Sequence, residues 1–102
     1  MAKVIAMYGT PTDKAAFDRY YFDTHAPLAK TLPGLRAYEV TRGDIATLDG
    51  ASPYYLIATL TFESVAAIQA ALSSAEGQAT AADLANFATG GVKLYFAETA
   101  LV

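Results

Sequence analysis

Cysteine is absent from this 102-residue chain, which excludes disulfides, thiolate metal sites and a cysteine nucleophile, and agrees with a reducing compartment. Charge is scarce too. Charged residues make up 17%, and the seven Lys and Arg are scattered singly in a chain of net charge −3. No basic stripe exists to neutralise a phosphate backbone, so nucleic acid is not an expected partner. No apolar run approaches the ~18 residues of a membrane span. The segment Lys3-Val4-Ile5-Ala6-Met7-Tyr8-Gly9 is too short for a signal peptide's apolar stretch and lacks a cleavage site, so a cytoplasmic protein without a membrane partner is expected. Tryptophan is missing, and histidine occurs once, at His25. One histidine among dispersed carboxylates gives no metal-ligand spacing. Gly90-Gly91 lacks the glycine-rich phosphate fingerprint.

What the chain has in excess is apolar surface, 54% of residues. That exceeds the usual share for a soluble protein, and at this length it implies one domain, residues 1–102, with an apolar face buried against a second copy.

Lys3 to Tyr8 predicts a strand ended by the breakers Gly9-Thr10-Pro11-Thr12. A helix follows from Asp13, a carboxylate suited to capping. At ~100° per residue its apolar face gathers Phe17, Tyr20, Tyr21, Thr24 and Leu28, with Tyr20 facing the core most squarely and His25 on the flank. Pro27 predicts a kink or break between Asp23 and Pro27. Leu32-Pro33-Gly34 turns the chain into a second strand, Leu35 to Arg42, and Gly43 to Pro53 predicts a mobile polar loop. Tyr54 to Phe62 is the clearest strand. Ser64 and Ser74 each cap a helix, the latter carrying Leu84 and Phe87, and Gly90-Gly91 releases a last strand, Val92 to Thr99.

This order, β-α-β-β-α-β, is the ferredoxin-like α+β arrangement, with helices on one face of an antiparallel sheet. The other face then carries one row per strand, with Ile5, Met7, Tyr38, Val40, Tyr55, Ile57 and Tyr95 as candidates. In water such a row invites association, so two sheets are expected to pack face to face in a homodimer.

His25 is the one side chain whose unperturbed pKa suits proton transfer near neutral pH. In an apolar pocket it would act as a general base on a phenol or activated carbon. Tyr21, one helical turn earlier, can donate a hydrogen bond to His25 or to a ligand oxygen, although for Tyr20 and Tyr21 alike packing with the hydroxyl satisfied at the rim is the commoner outcome. The alternative is a structural histidine that satisfies backbone groups freed by Pro27. Asp23, two residues away, points ~200° from it on a regular helix and is not its partner. Arg36 and Arg42 share one row of the second strand and would anchor a substrate carboxylate if they faced a cavity, but an exposed edge or interface role is the expectation for both.

The run Tyr20-Tyr21-Phe22-Asp23-Thr24-His25-Ala26-Pro27-Leu28, with Leu32-Pro33-Gly34-Leu35, resembles the EthD family, named for ethyl tert-butyl ether degradation. Pro53-Tyr54-Tyr55, Phe62-Glu63-Ser64, Ser74-Ala75-Glu76-Gly77-Gln78 and Asp83-Leu84-Ala85-Asn86-Phe87 extend the resemblance along most of the chain. It implies a dimeric α+β barrel with a small-molecule pocket between sheet and helices, in a bacterial degradative or biosynthetic setting. It also implies His25 as the family's histidine and Phe87 as its late aromatic residue. Ala75 and Ala85 stand where relatives often have proline. Family members are often labelled oxidoreductases, and relatives in aromatic polyketide pathways act as cofactor-free decarboxylases, cyclases or oxygenases.

The expectation is therefore a homodimer that binds a hydrophobic or aromatic small molecule without a cofactor. His25 and Tyr21 are its catalytic candidates, and Phe17, Tyr20, Leu28 and Phe87 its ligand contacts. The competing classes are a non-catalytic accessory protein for an oxygenase system and a dimerisation or ligand-sensing module.

Overall fold

The computed structural model describes residues 1–102. The elements run β1 (Ala2–Gly9), α1 (Lys14–Tyr20), a π-helical turn (Tyr21–His25), α2 (Ala26–Ala29) and β2 (Ala37–Val40). A small hairpin, β3 (Ala46–Thr47) and β4 (Gly50–Ala51), precedes β5 (Tyr54–Phe62). Then come α3 (Val65–Ser73), α4 (Ala75–Asp83), a 3-10 turn (Leu84–Asn86) and β6 (Val92–Glu98). Strands β2, β5, β1 and β6, in that order, form one antiparallel sheet covered on one face by the helices, a ferredoxin-like α+β fold. No helix is long and apolar enough to cross a membrane.

Alternation along β1 buries Ala2, Val4, Ala6 and Tyr8 under the helices and leaves Lys3, Ile5 and Met7 half-covered on the other face. Residues opposite one another on antiparallel strands share a face. Leu60 and Phe96 thus join Val4, and Ala58 and Leu94 join Ala6, on the helix side. Ile57 joins Met7, and Tyr95 joins Ile5, on the bare side.

Three residues expected on the bare face lie elsewhere. Tyr38 and Val40 pair with Leu60 and Ala58, which puts both on the helix side. Tyr55 turns toward α1 because the register slips between Tyr8 and Gly9, and its ring meets Phe17 edge-on at 5.3 Å.

Asp13 caps α1, its carboxylate accepting from the Ala16 N–H. Downstream the helix does not break at Pro27. It widens: the Ala26 N–H reaches back to the Tyr21 carbonyl, an i→i+5 bond. A wider turn gives the Pro27 ring room where a regular helix would set the Asp23 carbonyl. The turn also holds one residue more than an α turn, so the buried positions that follow come late. They are His25, Ala26 and Ala29, whereas Thr24 is exposed and Leu28 only half-buried.

Ser74 ends α3 and also caps α4, accepting from the Gly77 N–H, so the two helices meet without a loop. A Cβ on Gly77 would lie 2.0 Å from the Ala71 carbonyl oxygen, and only glycine permits so close an approach. This tight corner fixes where the far end of α4, with Asp83, meets the first helix. The segment from Gly43 to Pro53, expected as a mobile polar loop, contains the β3–β4 hairpin, with Ala46 opposite Ala51 and Thr47 opposite Gly50.

Candidate functional site

The widened turn aims His25 inward. The residue is 4% exposed, and its Nδ1 lies 2.9 Å from Oδ2 of Asp83 at the end of α4. An ionised carboxylate only accepts, so Nδ1 carries the proton and Nε2 keeps its lone pair. Asp83 is itself held. Its Oδ1 accepts from the Tyr20 hydroxyl at 2.5 Å and from Asn86 Nδ2 at 2.9 Å. Burial pushes the Asp83 carboxyl up, but the hydrogen bonds from Tyr20, Asn86 and His25 outweigh it and leave the group below its ordinary value. Burial pushes the His25 imidazole down, and Asp83 only partly restores it. The pair therefore rests as carboxylate and neutral imidazole at neutral pH.

Nε2 makes no hydrogen bond within the chain, yet no sealed side-chain nitrogen or oxygen lacks a partner. It therefore faces open space. His25 also lines a cavity of about 80 Å³ between helices and sheet, whose wall includes Tyr8, Tyr21, Tyr38, Leu94 and Phe96. Leu94 and Phe96, on edge strand β6, are each 46% exposed and leave the cavity open on that side.

Three phenols share the wall. The hydroxyls of Tyr21 and Tyr38 lie 2.6 Å apart, and the rings of Tyr8 and Tyr21 meet edge-on at 5.6 Å. Burial first, and neighbouring phenols second, hold Tyr8 and Tyr21 well above the ordinary tyrosine value; burial likewise raises Tyr38. All three are neutral donors at any pH at which the protein works.

Of the expected site residues, His25 and Tyr21 both line the cavity, while Phe17, Tyr20, Leu28 and Phe87 do not. Tyr21 bonds Tyr38 rather than His25, from whose ring its own centroid is 5.4 Å away. It is fully buried and Tyr20 half-buried, the reverse of the expected order, because Tyr20 reaches sideways to Asp83. Phe87 packs against the imidazole at 4.6 Å, stacks on Tyr20 and meets Phe17 at a tilt behind it, forming the back wall of the dyad. Leu28 falls outside the cavity because the π turn moves Ala29 into its place.

Four contributors were not singled out in the sequence: Asp83, Asn86, Tyr8 and Tyr38. Asp83 and Asn86 lie within the stretch Asp83-Leu84-Ala85-Asn86-Phe87 that carries the resemblance, but nothing local ties Asp83 to a histidine 58 positions away. Arg36 is exposed and 3.6 Å from Glu63, and Arg42 is exposed; neither reaches the cavity. A larger open groove of about 1020 Å³ lies between α1 and the β3–β4 hairpin and shares no residue with the His25 cavity. Its charged lining, which includes Lys14, Asp18, Arg42 and Asp44, is solvent-exposed. No three metal-ligating side chains converge anywhere in the chain.

Comparison with known proteins agrees with this architecture. An 11.0 kDa protein from the thcB–thcC intergenic region of Rhodococcus erythropolis is 42% identical over 99 residues, covering 96% of this chain and 94% of that protein. The crystal structure of an ethyl tert-butyl ether degradation family protein from Bacillus halodurans superposes with a TM-score of 0.89 at 39% identity, covering 98% and 99% of the two chains. Two more distant structures share the fold. They are a dimeric ferredoxin-like protein from Thermobifida fusca (TM-score 0.70, 15% identity, 96% and 90% covered) and SnoaB, a cofactor-independent oxygenase from Streptomyces nogalater (TM-score 0.61, 19% identity, 98% and 95% covered). The EthD domain model matches residues 9–91, and with relatives this similar over nearly their whole length, the chain belongs to the EthD family.

Proposed function

We propose that this protein is a cytoplasmic homodimer that binds a hydrophobic, aromatic small molecule in the cavity beside His25. There it removes a proton from the ligand without a cofactor. The observation that carries this is the two-sided state of the imidazole: Nδ1 is committed to Asp83 at 2.9 Å, and Nε2 is unpartnered at the wall of an apolar cavity. A base held in one tautomer by a carboxylate, and kept neutral by burial, is ready to accept a proton from a bound acid. Tyr20, Asn86 and Asp83 act through His25 and are positioning residues. SnoaB, a cofactor-independent oxygenase on the same fold, supports the reading that such a scaffold works without a cofactor.

The dimer is supported by the bare sheet face. Ile5, Met7, Ile57 and Tyr95 share that face, and Tyr95 is 55% exposed. The dimeric state of the Thermobifida fusca protein, built on the same fold, supports it as well.

A direct test uses phenylacetone in D2O, following loss of the α-CH2 signal by NMR. Wild-type protein is expected to speed exchange, and folded His25→Ala to lose that acceleration. Equal rates for the two proteins refute proton abstraction by His25.

A non-catalytic carrier is the second reading. It is favoured by the cavity's open side, where Leu94 and Phe96 are each 46% exposed, since a base that abstracts a proton from carbon works best in a site closed to water. Phenylacetone bound by wild type without faster exchange is the outcome that selects it.

A further inference from the structure

The cavity wall tells which ligand chemistry it suits. It includes no lysine, arginine, aspartate or glutamate; its polar groups are the phenols of Tyr8, Tyr21 and Tyr38, His25 and Thr80. A carboxylate or phosphate ligand would be stripped of water there with no cation to offset the loss. The phenols supply something else. Tyr21 and Tyr38 hold two hydroxyl protons between them and share one hydrogen bond, at 2.6 Å. One donates to the other, so one proton of the pair has no phenol acceptor within it. If Tyr8 extends the chain to three, the count still leaves one proton over. No side-chain or backbone acceptor other than the phenols is bonded to these hydroxyls, and both tyrosines line the same cavity as His25.

We infer that the Tyr21–Tyr38 hydroxyl pair is the ligand's oxygen-recognition element, and that the ligand is an uncharged carbonyl compound with an acidic C–H for His25. This rests on the reading of His25 as the base and deepens it. When Nε2 takes the α-proton, the C–H electron pair passes into the carbonyl, giving an enolate oxygen and an imidazolium. The free O–H of the phenol pair donates to that oxygen as its charge develops, and Asp83 balances the imidazolium. Return of the proton, or of a deuteron from solvent, regenerates both partners. Neither tyrosine ionises.

The test is an isosteric series: phenylacetone, its oxygen-free counterpart isobutylbenzene, and the anion phenylacetate, with affinities measured by calorimetry or NMR titration. Phenylacetone should bind about tenfold more tightly than isobutylbenzene, the worth of one good hydrogen bond, and phenylacetate should bind most weakly. Tyr21→Phe/Tyr38→Phe keeps the wall's shape and should abolish the preference for the ketone while leaving isobutylbenzene affinity unchanged. Three results overturn the inference: isobutylbenzene or phenylacetate binding as tightly as phenylacetone; the preference surviving in the double variant; no binding of phenylacetone at millimolar concentration. Should the double variant fail to fold, the wild-type order alone decides. Deuterium exchange read in the same samples separates the two claims. Ketone preference without exchange overturns the base and leaves the recognition element standing, and exchange without ketone preference does the reverse.

Discussion

Replacing Asp83 by Asn tests the dyad at its most informative atom. The carboxylate takes three donors on two oxygens: Tyr20 and Asn86 at Oδ1, and His25 at Oδ2. An amide offers only one oxygen. Placing it at the Oδ1 position keeps two hydrogen bonds and turns the NH2 toward His25, whereas the reverse keeps one and loses two. The first orientation wins by about one hydrogen bond, roughly 1 kcal/mol. Nδ1 must then accept, the proton moves to Nε2, and the lone pair facing the cavity disappears. Proton abstraction should fall by about 100-fold or more, the usual worth of a general base. Global stability should fall by about 2 kcal/mol as charge-assisted bonds become neutral ones. Because His25 is the chain's only histidine, one pair of imidazole 15N signals reports the tautomer without assignment. The variant should show Nε2 protonated. Its titration midpoint should lie lower still than that of wild type, since burial already lowers it and both effects of Asp83 that raise it are gone. A variant that keeps Nε2 unprotonated, or titrates higher than wild type, would refute the account of the dyad.

Stability should depend on pH through the same residue. His25 titrates below its ordinary value in the fold because burial disfavours its charge, so an unfolded chain takes the proton first. Its contribution is complete above the unfolded value of about 6.5 and is lost as pH falls through the lower folded value; urea midpoints should drop between pH 7 and pH 5, and His25→Gln should flatten that drop. Wild-type midpoints that stay level or rise on acidification would contradict it. Ile57→Lys, on the central strand of the bare face opposite Met7, should convert a dimer to a monomer in sedimentation at micromolar concentration; a wild-type monomer, or a variant that still dimerises, removes the face-to-face assembly. Deleting exposed Thr24 should restore a regular helical turn and drive the Pro27 ring against the carbonyl four residues back, costing about 3 kcal/mol; in a Pro27→Ala background the deletion should cost far less, and equal costs in both would show that the wide turn does not serve the proline.

Strands were the most legible part of the fold because a period of two is hard to mistake. The row Leu56, Ala58, Leu60 and Phe62 announces both the strand and its buried face, and all four lie in the core. Ser64, Ser74 and Asp13 announce their helix starts by a short-range bond that depends only on neighbours three residues on. The face of Tyr38, Val40 and Tyr55 was not legible. Two rows of similar polarity in β2 leave the choice to register with β5, and Tyr55 depends on a slip between Tyr8 and Gly9 that no residue type signals.

The site itself was half legible, and the missing half has one cause. His25 stands out as the sole group that titrates near neutrality, but its direction depends on a turn that holds one residue too many. With strict 3.6-residue periodicity, Thr24 and Leu28 look inward and His25 sits on the flank. Pro27 makes regular helix costly at that point; a sequence reader sees a break, whereas a wider turn relieves the same clash and keeps the helix going. The shift of one residue is what brings Nδ1 onto a carboxylate that α4 delivers from 58 positions away. Neither half makes the pair alone. Without the wide turn Asp83 would be a buried carboxylate held only by Tyr20 and Asn86, and without Asp83 the inward histidine would have no fixed tautomer. The His25–Asp83 pair therefore arises from the meeting of two locally unremarkable segments, set by the corner at Ser74 and Gly77 on one side and by Pro27 on the other.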